Sequence, residues 1–124
     1  MSGIKVLVVD DDMINRKLMA AMLKKNPAIG EIIEASDGQE AITLLRDLGD
    51  IDLVLLDIIM PVMDGIAVLQ IMNADKKMQN IPVIVLTTDE SKKAEALNSG
   101  ANDFIAKPVR ENDIMQKIER LTSL

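Results

Sequence analysis

Two kinds of apolar spacing alternate along this chain. IKVLVV (Ile4–Val9), LVLL (Leu53–Leu56) and PVIVL (Pro82–Leu86) are short, continuous and rich in Val, Ile and Leu, which is how strands covered on both faces read. EIIEA (Glu31–Ala35) and DFIA (Asp103–Ala106) are weaker strand candidates. Between these runs, apolar residues return every three or four positions, as on one face of a helix. Ile14, Leu18, Ala21 and Met22 predict a first helix. Ala41, Leu45 and Leu48 predict a second, with Ser36 and Gln39 as its capping box. DGIAVLQIM (Asp64–Met72) opens a third with Asp64 as cap, and Ile114, Ile118 and Leu121 mark the last. DESKKAEALNSG (Asp89–Gly100) is the odd one, with only a thin stripe of Ala94, Leu97 and Ala101. It reads either as a solvated surface helix or as a loosely anchored element that shifts with ligand state. The order βαβαβαβαβα predicts an α/β fold, a doubly wound five-stranded parallel sheet with helices on both faces.

The polar residues gain meaning from that expectation, because ligands of such sheets bind at the carboxyl ends of the strands. Asp10, Asp11 and Asp12 follow the first predicted strand, Asp57 the third, Thr87 and Thr88 the fourth, and Lys107 the fifth. Each has a plainer reading. Asp12 reads as the N-cap of the first helix. Thr87 or Thr88 reads equally as a cap, and Lys107 as a solvated lysine. Their convergence on one edge is what stands out. Carboxylates crowded within a few ångströms raise the cost of ionising one another and call for a compensating cation.

Composition narrows which cation. The 124 residues contain no Cys and no His, which excludes disulfides, thiolate zinc sites and histidine-based catalysis. An oxygen-only donor set favours a hard cation such as Mg2+ or Ca2+, and beside crowded carboxylates Mg2+ is the natural one. Around one carboxylate, Mg2+, an ammonium and a hydroxyl form a clamp for a transferring phosphoryl group, with the carboxylate as nucleophile. A net charge of −6 and a single aromatic, Phe104, speak against direct nucleic-acid binding and against base or flavin stacking. The hydrophobic share of 48% supports one folded domain over residues 1–124. The absence of a long apolar run or a signal-peptide pattern points to a cytoplasmic protein with no membrane partner. No linker or second domain is visible, so no output domain is expected. The nine methionines, among them Met19, Met22 and Met72, read as core fill.

VVDDD (Val8–Asp12), DIIMPVMDG (Asp57–Gly65), LTT (Leu86–Thr88), GANDF (Gly100–Phe104) and KP (Lys107–Pro108) together resemble the motif series of response-regulator receiver domains, the chemotaxis-regulator-like proteins. The resemblance spans almost the whole chain and implies a flavodoxin-like (βα)5 receiver fold. It also implies that Asp57 accepts a phosphoryl group from a phosphohistidine on a sensor histidine kinase or phosphotransfer protein. Asp11 and Asp57, with the backbone carbonyl of Ile59, would ligate Mg2+, and Asp10 would act mainly through a metal-bound water. Lys107 would pair with a phosphoryl oxygen, with a cis bond before Pro108 common in the family. Thr87 would be the switch hydroxyl, and Phe104 stands where the family has a rotating aromatic, or is simply core. The output would be contact with a downstream protein target, made by a monomer through the fourth helix, fifth strand and fifth helix. Ile59 and Asp89 occupy positions beside the family's water route, so an apolar Ile59 is expected to lengthen the phosphate lifetime. Val109 stands where many DNA-binding relatives have Phe, so their style of dimer is not assigned to this chain.

Three other classes are weighed against this one. A phosphorylation-independent pseudo-receiver would have gaps in the constellation, and none is found; a receiver excised from a larger regulator would look the same. A haloacid-dehalogenase-like phosphatase would carry an aspartate where Ile59 stands. A flavodoxin-like FMN protein would need a hydroxyl- and Gly-rich phosphate loop in place of VDDDMIN.

Overall fold

The computed structural model describes residues 3–122. Its elements follow the expected alternation: β1 (Ile4–Val9), α1 (Met13–Leu23), β2 (Ile29–Ala35), α2 (Gly38–Leu48), β3 (Leu53–Asp57), α3 (Gly65–Ala74), β4 (Val83–Thr87), a 3-10 turn (Glu90–Lys92) leading into α4 (Lys93–Asn98), β5 (Asp103–Ala106) and α5 (Glu111–Thr122). All strand pairs are parallel, in the order β2-β1-β3-β4-β5. The two weaker strand candidates, β2 and β5, are the edges. An edge strand has fewer neighbours to cover it, which is why these runs could carry Glu31, Glu34 and Asp103.

Strand side chains alternate between two separate cores. Leu7, Val9, Val54, Leu56, Val83 and Val85 pack under α2 and α3. Val6, Val8, Leu53, Leu55, Ile84 and Leu86 pack under α1 and α5, against Met19, Leu23, Ile114 and Ile118. Met19 and Met72 are buried as expected and Met22 partly so.

Three helix expectations need correction. In α1 the buried residues are Met19, Ala20 and Leu23, while Ile14 and Leu18 are 66% and 59% exposed. MINRKLMAAML is apolar on several sides, so periodicity alone does not choose the inward face. In α2 the cap is Asp37, which accepts from the Glu40 N–H, and Glu40 reaches back to the Ser36 N–H. The box is therefore Asp37–Glu40 rather than Ser36–Gln39, and Leu48 lies exposed beside the left-handed Gly49 that ends the helix. In α4 the buried residue is Ala96, with Leu97 exposed and Ala101 beyond the helix end. The 3-10 turn before α4 has three residues per turn, which shifts the phase of the stripe.

The loop from β3 to α3 holds a strained position. Val62 has φ 68° at the centre of a turn closed by the Met63 N–H on the Pro61 carbonyl at 2.7 Å, and it is 98% exposed. A β-branched residue there costs roughly 1–2 kcal/mol, and no packing offsets the cost. Val62→Gly is therefore expected to raise the unfolding free energy, by up to about 1 kcal/mol after glycine's greater unfolded-chain entropy is subtracted. Urea denaturation measures this. A clear loss of stability would contradict it.

Candidate functional site

The strand order changes direction between β1 and β3, and the acids meet at that switch point. Register makes the meeting specific. Val9 pairs with Leu56, so Asp10 lies beside Asp57; Asp57 pairs with Leu86 and Thr87 with Ala106, so Thr87 and Lys107 follow one step on. Four strand ends thus bring Asp10, Asp57, Thr87 and Lys107 to one edge. The loop after Asp57 is pulled tightly back onto it. The Gly65 N–H donates to the Ile58 carbonyl at 2.8 Å, and a Cβ on Gly65 would stand 2.5 Å from the Asp57 carbonyl oxygen. Only glycine permits that approach.

Asp10 and Asp57 are buried at 5% and 6% exposure, whereas Asp11 is exposed. One carboxylate oxygen from each of the three lies within 4.8 Å of the others. The Lys107 ammonium stands 3.1 Å from Asp10 Oδ2 and 3.4 Å from Asp57 Oδ1. The bond before Pro108 is cis. Burial pushes the Asp57 carboxyl up to about 6; Lys107 pulls against this, Asp10 adds to it, and the Ile59 backbone N–H pulls against it. Asp12 is the N-cap of α1, accepting from the Ile14 N–H at 2.8 Å.

The other expected residues are placed as follows. Thr87 is fully buried, and its hydroxyl accepts from the Asp89 N–H at 3.1 Å; among the described residues it makes no hydrogen bond to Asp57. Neither threonine caps the following turn. Asp89 does, accepting from the Ser91 N–H, while Thr88 is exposed. Phe104 packs inward with Ala96 and Ala101, and the Lys93 ammonium lies 6.0 Å from its ring centre. Ile59 is 53% exposed. Two further residues border the site, Arg16 and Glu34, and no motif marks either of them. The Arg16 guanidinium donates to the Asp10 carbonyl at 2.8 Å and to Glu34 at 3.2 Å. A groove of about 460 Å3, which no sequence motif announces, lies beside Asp10 and Lys107, walled by Leu18, Met22, Pro108 and Val109. The exposed Leu18 is the signal for it, once its helix face is known.

The donor set suits a hard divalent cation. Three carboxylates converge, and the chain has no thiolate or imidazole to offer. Two of them are buried with one lysine to share, so an added dication would relieve their repulsion.

The family model of the response regulator receiver domain matches residues 6–119. The chain belongs to that family. Receiver domains are the signalling domains of two-component systems, and this one is 38% identical over 114 residues to the rice two-component response regulator-like PRR37 (Oryza sativa), covering 90% of this chain and 15% of that protein. It spans only a small part of that curated relative. Among solved structures, the receiver domain resembles the Vibrio cholerae chemotaxis protein CheY4, with a TM-score of 0.86, 28% identity, and coverage of 97% and 99% of the two chains. It is also similar to the receiver domain of the sensor histidine kinase PA1611 from Pseudomonas aeruginosa, with a TM-score of 0.83, 26% identity, and coverage of 99% and 100%; that structure has a magnesium ion coordinated in its active site cleft. The fold expected from the motif series is the fold found. No helix among the described residues is long and apolar enough to cross a membrane.

Proposed function

We propose that this receiver domain is a phosphorylation switch in which Asp57 accepts a phosphoryl group. The observation that carries the reading is a buried Asp57 with two further carboxylates within 4.8 Å and an ammonium at 3.4 Å. One Asp57 oxygen attacks phosphorus, and the bond from phosphorus to the donor's nitrogen or acyl oxygen breaks with its electron pair, leaving an aspartyl phosphate. Lys107 offsets charge on the transferred oxygens. Asp11 and Asp57, with the Ile59 carbonyl and with Asp10 through water, are the groups that would hold Mg2+. When bound, the ion supplies charge neutralisation for the transferring group. Thr87 then offers its hydroxyl to the phosphoryl group, giving up the Asp89 N–H it now accepts. Phe104, packed against α4, would follow that movement and alter the face made by α4, β5 and α5.

The donor on this reading is a phosphohistidine of a sensor histidine kinase or phosphotransfer protein. It would seat on the exposed Ile14 and Leu18 and the adjoining groove. The output is contact with a downstream protein, not nucleic acid, made by a cytoplasmic monomer. The receiver turns over only its own phosphate. The test is intact-mass analysis after incubation with acetyl phosphate. A gain of one phosphoryl group with Mg2+, and none without it, is expected. No gain from any donor, with no beryllofluoride binding, would replace the switch by a phosphorylation-independent interaction module.

Phosphate lifetime depends on water reaching the aspartyl phosphate. The exposed, apolar Ile59 side chain offers such a water no hydrogen bond. Ile59→Asn is expected to speed dephosphorylation by on the order of tenfold, the rate equivalent of one hydrogen bond worth about 1.4 kcal/mol. Decay of the phosphorylated mass after donor removal reads it, and an unchanged half-life would refute it.

A further inference from the structure

Asp10 is held at every polar atom. Its N–H donates to the Ala35 carbonyl at 3.2 Å, Oδ1 accepts from the Asp12 N–H at 2.9 Å, and Oδ2 accepts from Lys107 at 3.1 Å. The remaining group, its carbonyl, accepts from Arg16 at 2.8 Å. That carbonyl shares one rigid peptide plane with the Asp11 N–H. A bond that fixes the plane therefore fixes the direction in which the Asp11 residue leaves β1. Arg16 is itself anchored, because its Nε donates to Glu34 on β2 and its side chain is only 14% exposed. Lys17 pairs with the other Glu34 oxygen at 2.9 Å but is 64% exposed and, among the described residues, makes no hydrogen bond or ion pair with Asp10.

We propose that Arg16, braced by Glu34, is a positioning residue that aims the Asp10–Asp11 peptide so that the two carboxylates converge with Asp57 on a divalent cation. A planar guanidinium suits this task, since it holds a carboxylate and a carbonyl at once, as a lysine ammonium in one geometry does not. The proposal rests on the reading that Asp10, Asp11 and Asp57 bind Mg2+.

Electrostatics alone predicts the opposite effect. Arg16 carries a positive charge near a cation site, so removing it would tighten Mg2+ binding if charge were its only influence. Positioning predicts weaker binding, by about tenfold, as when outer partners of metal ligands are removed. Lys17→Met removes the same charge from the same Glu34 partner without touching Asp10, which makes it the matched control.

The experiment is a Mg2+ titration of wild type, Arg16→Met, Arg16→Lys, Glu34→Gln and Lys17→Met. It is followed by the amide chemical shifts of residues 10–12 and 57–59, well below each variant's unfolding temperature. Arg16→Met should bind about tenfold more weakly, Arg16→Lys and Glu34→Gln by intermediate amounts, and Lys17→Met as well as wild type or better. If Arg16→Met does not fold, the Arg16→Lys and Glu34→Gln affinities decide in its place. Unchanged or tighter binding in the folded Arg16 and Glu34 variants, even with a lowered unfolding temperature, would reduce Arg16 to a staple between α1 and β2 and overturn the proposal. A wild type that does not bind Mg2+ would instead overturn the reading on which the proposal stands.

Discussion

Asp57→Asn is expected to abolish phosphoryl uptake from acetyl phosphate in Mg2+, with a fall in rate on the order of 1,000-fold or more, as when a nucleophile is removed elsewhere. The carboxamide is nearly isosteric but neutral, and its oxygen is a poor nucleophile toward phosphorus. The surroundings should survive the change. Asp10 keeps its bonds to the Asp12 N–H and to Lys107, and the Gly65 N–H still ties the loop to the Ile58 carbonyl. Unaltered amide shifts away from the site would therefore accompany the lost mass gain. Any residual uptake would be slow and would map to Asp10 or Asp11, the carboxylates within 4.8 Å. Uptake at the wild-type rate would remove Asp57 from the mechanism altogether.

The convergence that motivates this experiment was legible from the chain because two regularities combine. Apolar runs marked where strands end, and parallel topology places those ends on one edge. Asp10 directly follows its strand, and Asp57 and Thr87 are the last residues of theirs, so a boundary error of one residue did not matter. Helix faces were less readable. In α1, Ile14 and Leu18 compete with Met19 and Leu23 for the inward side, and only tertiary contacts choose between them. In α2 the cap moved by one residue because Ser36 and Asp37 are both good caps and the choice depends on where the chain leaves β2. Arg16 and Glu34 were invisible for another reason. They lie 18 residues apart, and each alone looks like an ordinary surface charge. Their meeting depends on α1 lying over β1 and β2.

The second large effect concerns what the acid site costs the protein when no cation is present. In chelator, lowering the pH from 7.5 to 4 should stabilise wild type relative to Asp57→Asn by roughly 2 kcal/mol, less than the full rise of Asp57 from its ordinary value of 3.8 to about 6 would give, because at pH 4 the unfolded carboxyl is only part-protonated and solvent screens part of the effect. The sign follows from where the proton is held more tightly. Between about pH 4 and 6 the native state keeps the Asp57 proton that the unfolded chain has released, so stability falls as pH rises through this window. Above about 6 both states are ionised, and the full desolvation penalty stays with the folded form. Asparagine does not titrate, so Asp57→Asn escapes the penalty, and its advantage at pH 7.5 should shrink toward pH 4. Saturating Mg2+ should narrow the gap at pH 7.5, because a ligand that binds only the native carboxylates stabilises by mass action. Urea denaturation of both proteins at several pH values, with chelator and with Mg2+, measures all of this. A difference independent of pH would mean that Asp57 is not under burial strain, and that the site needs no cation to hold its acids together.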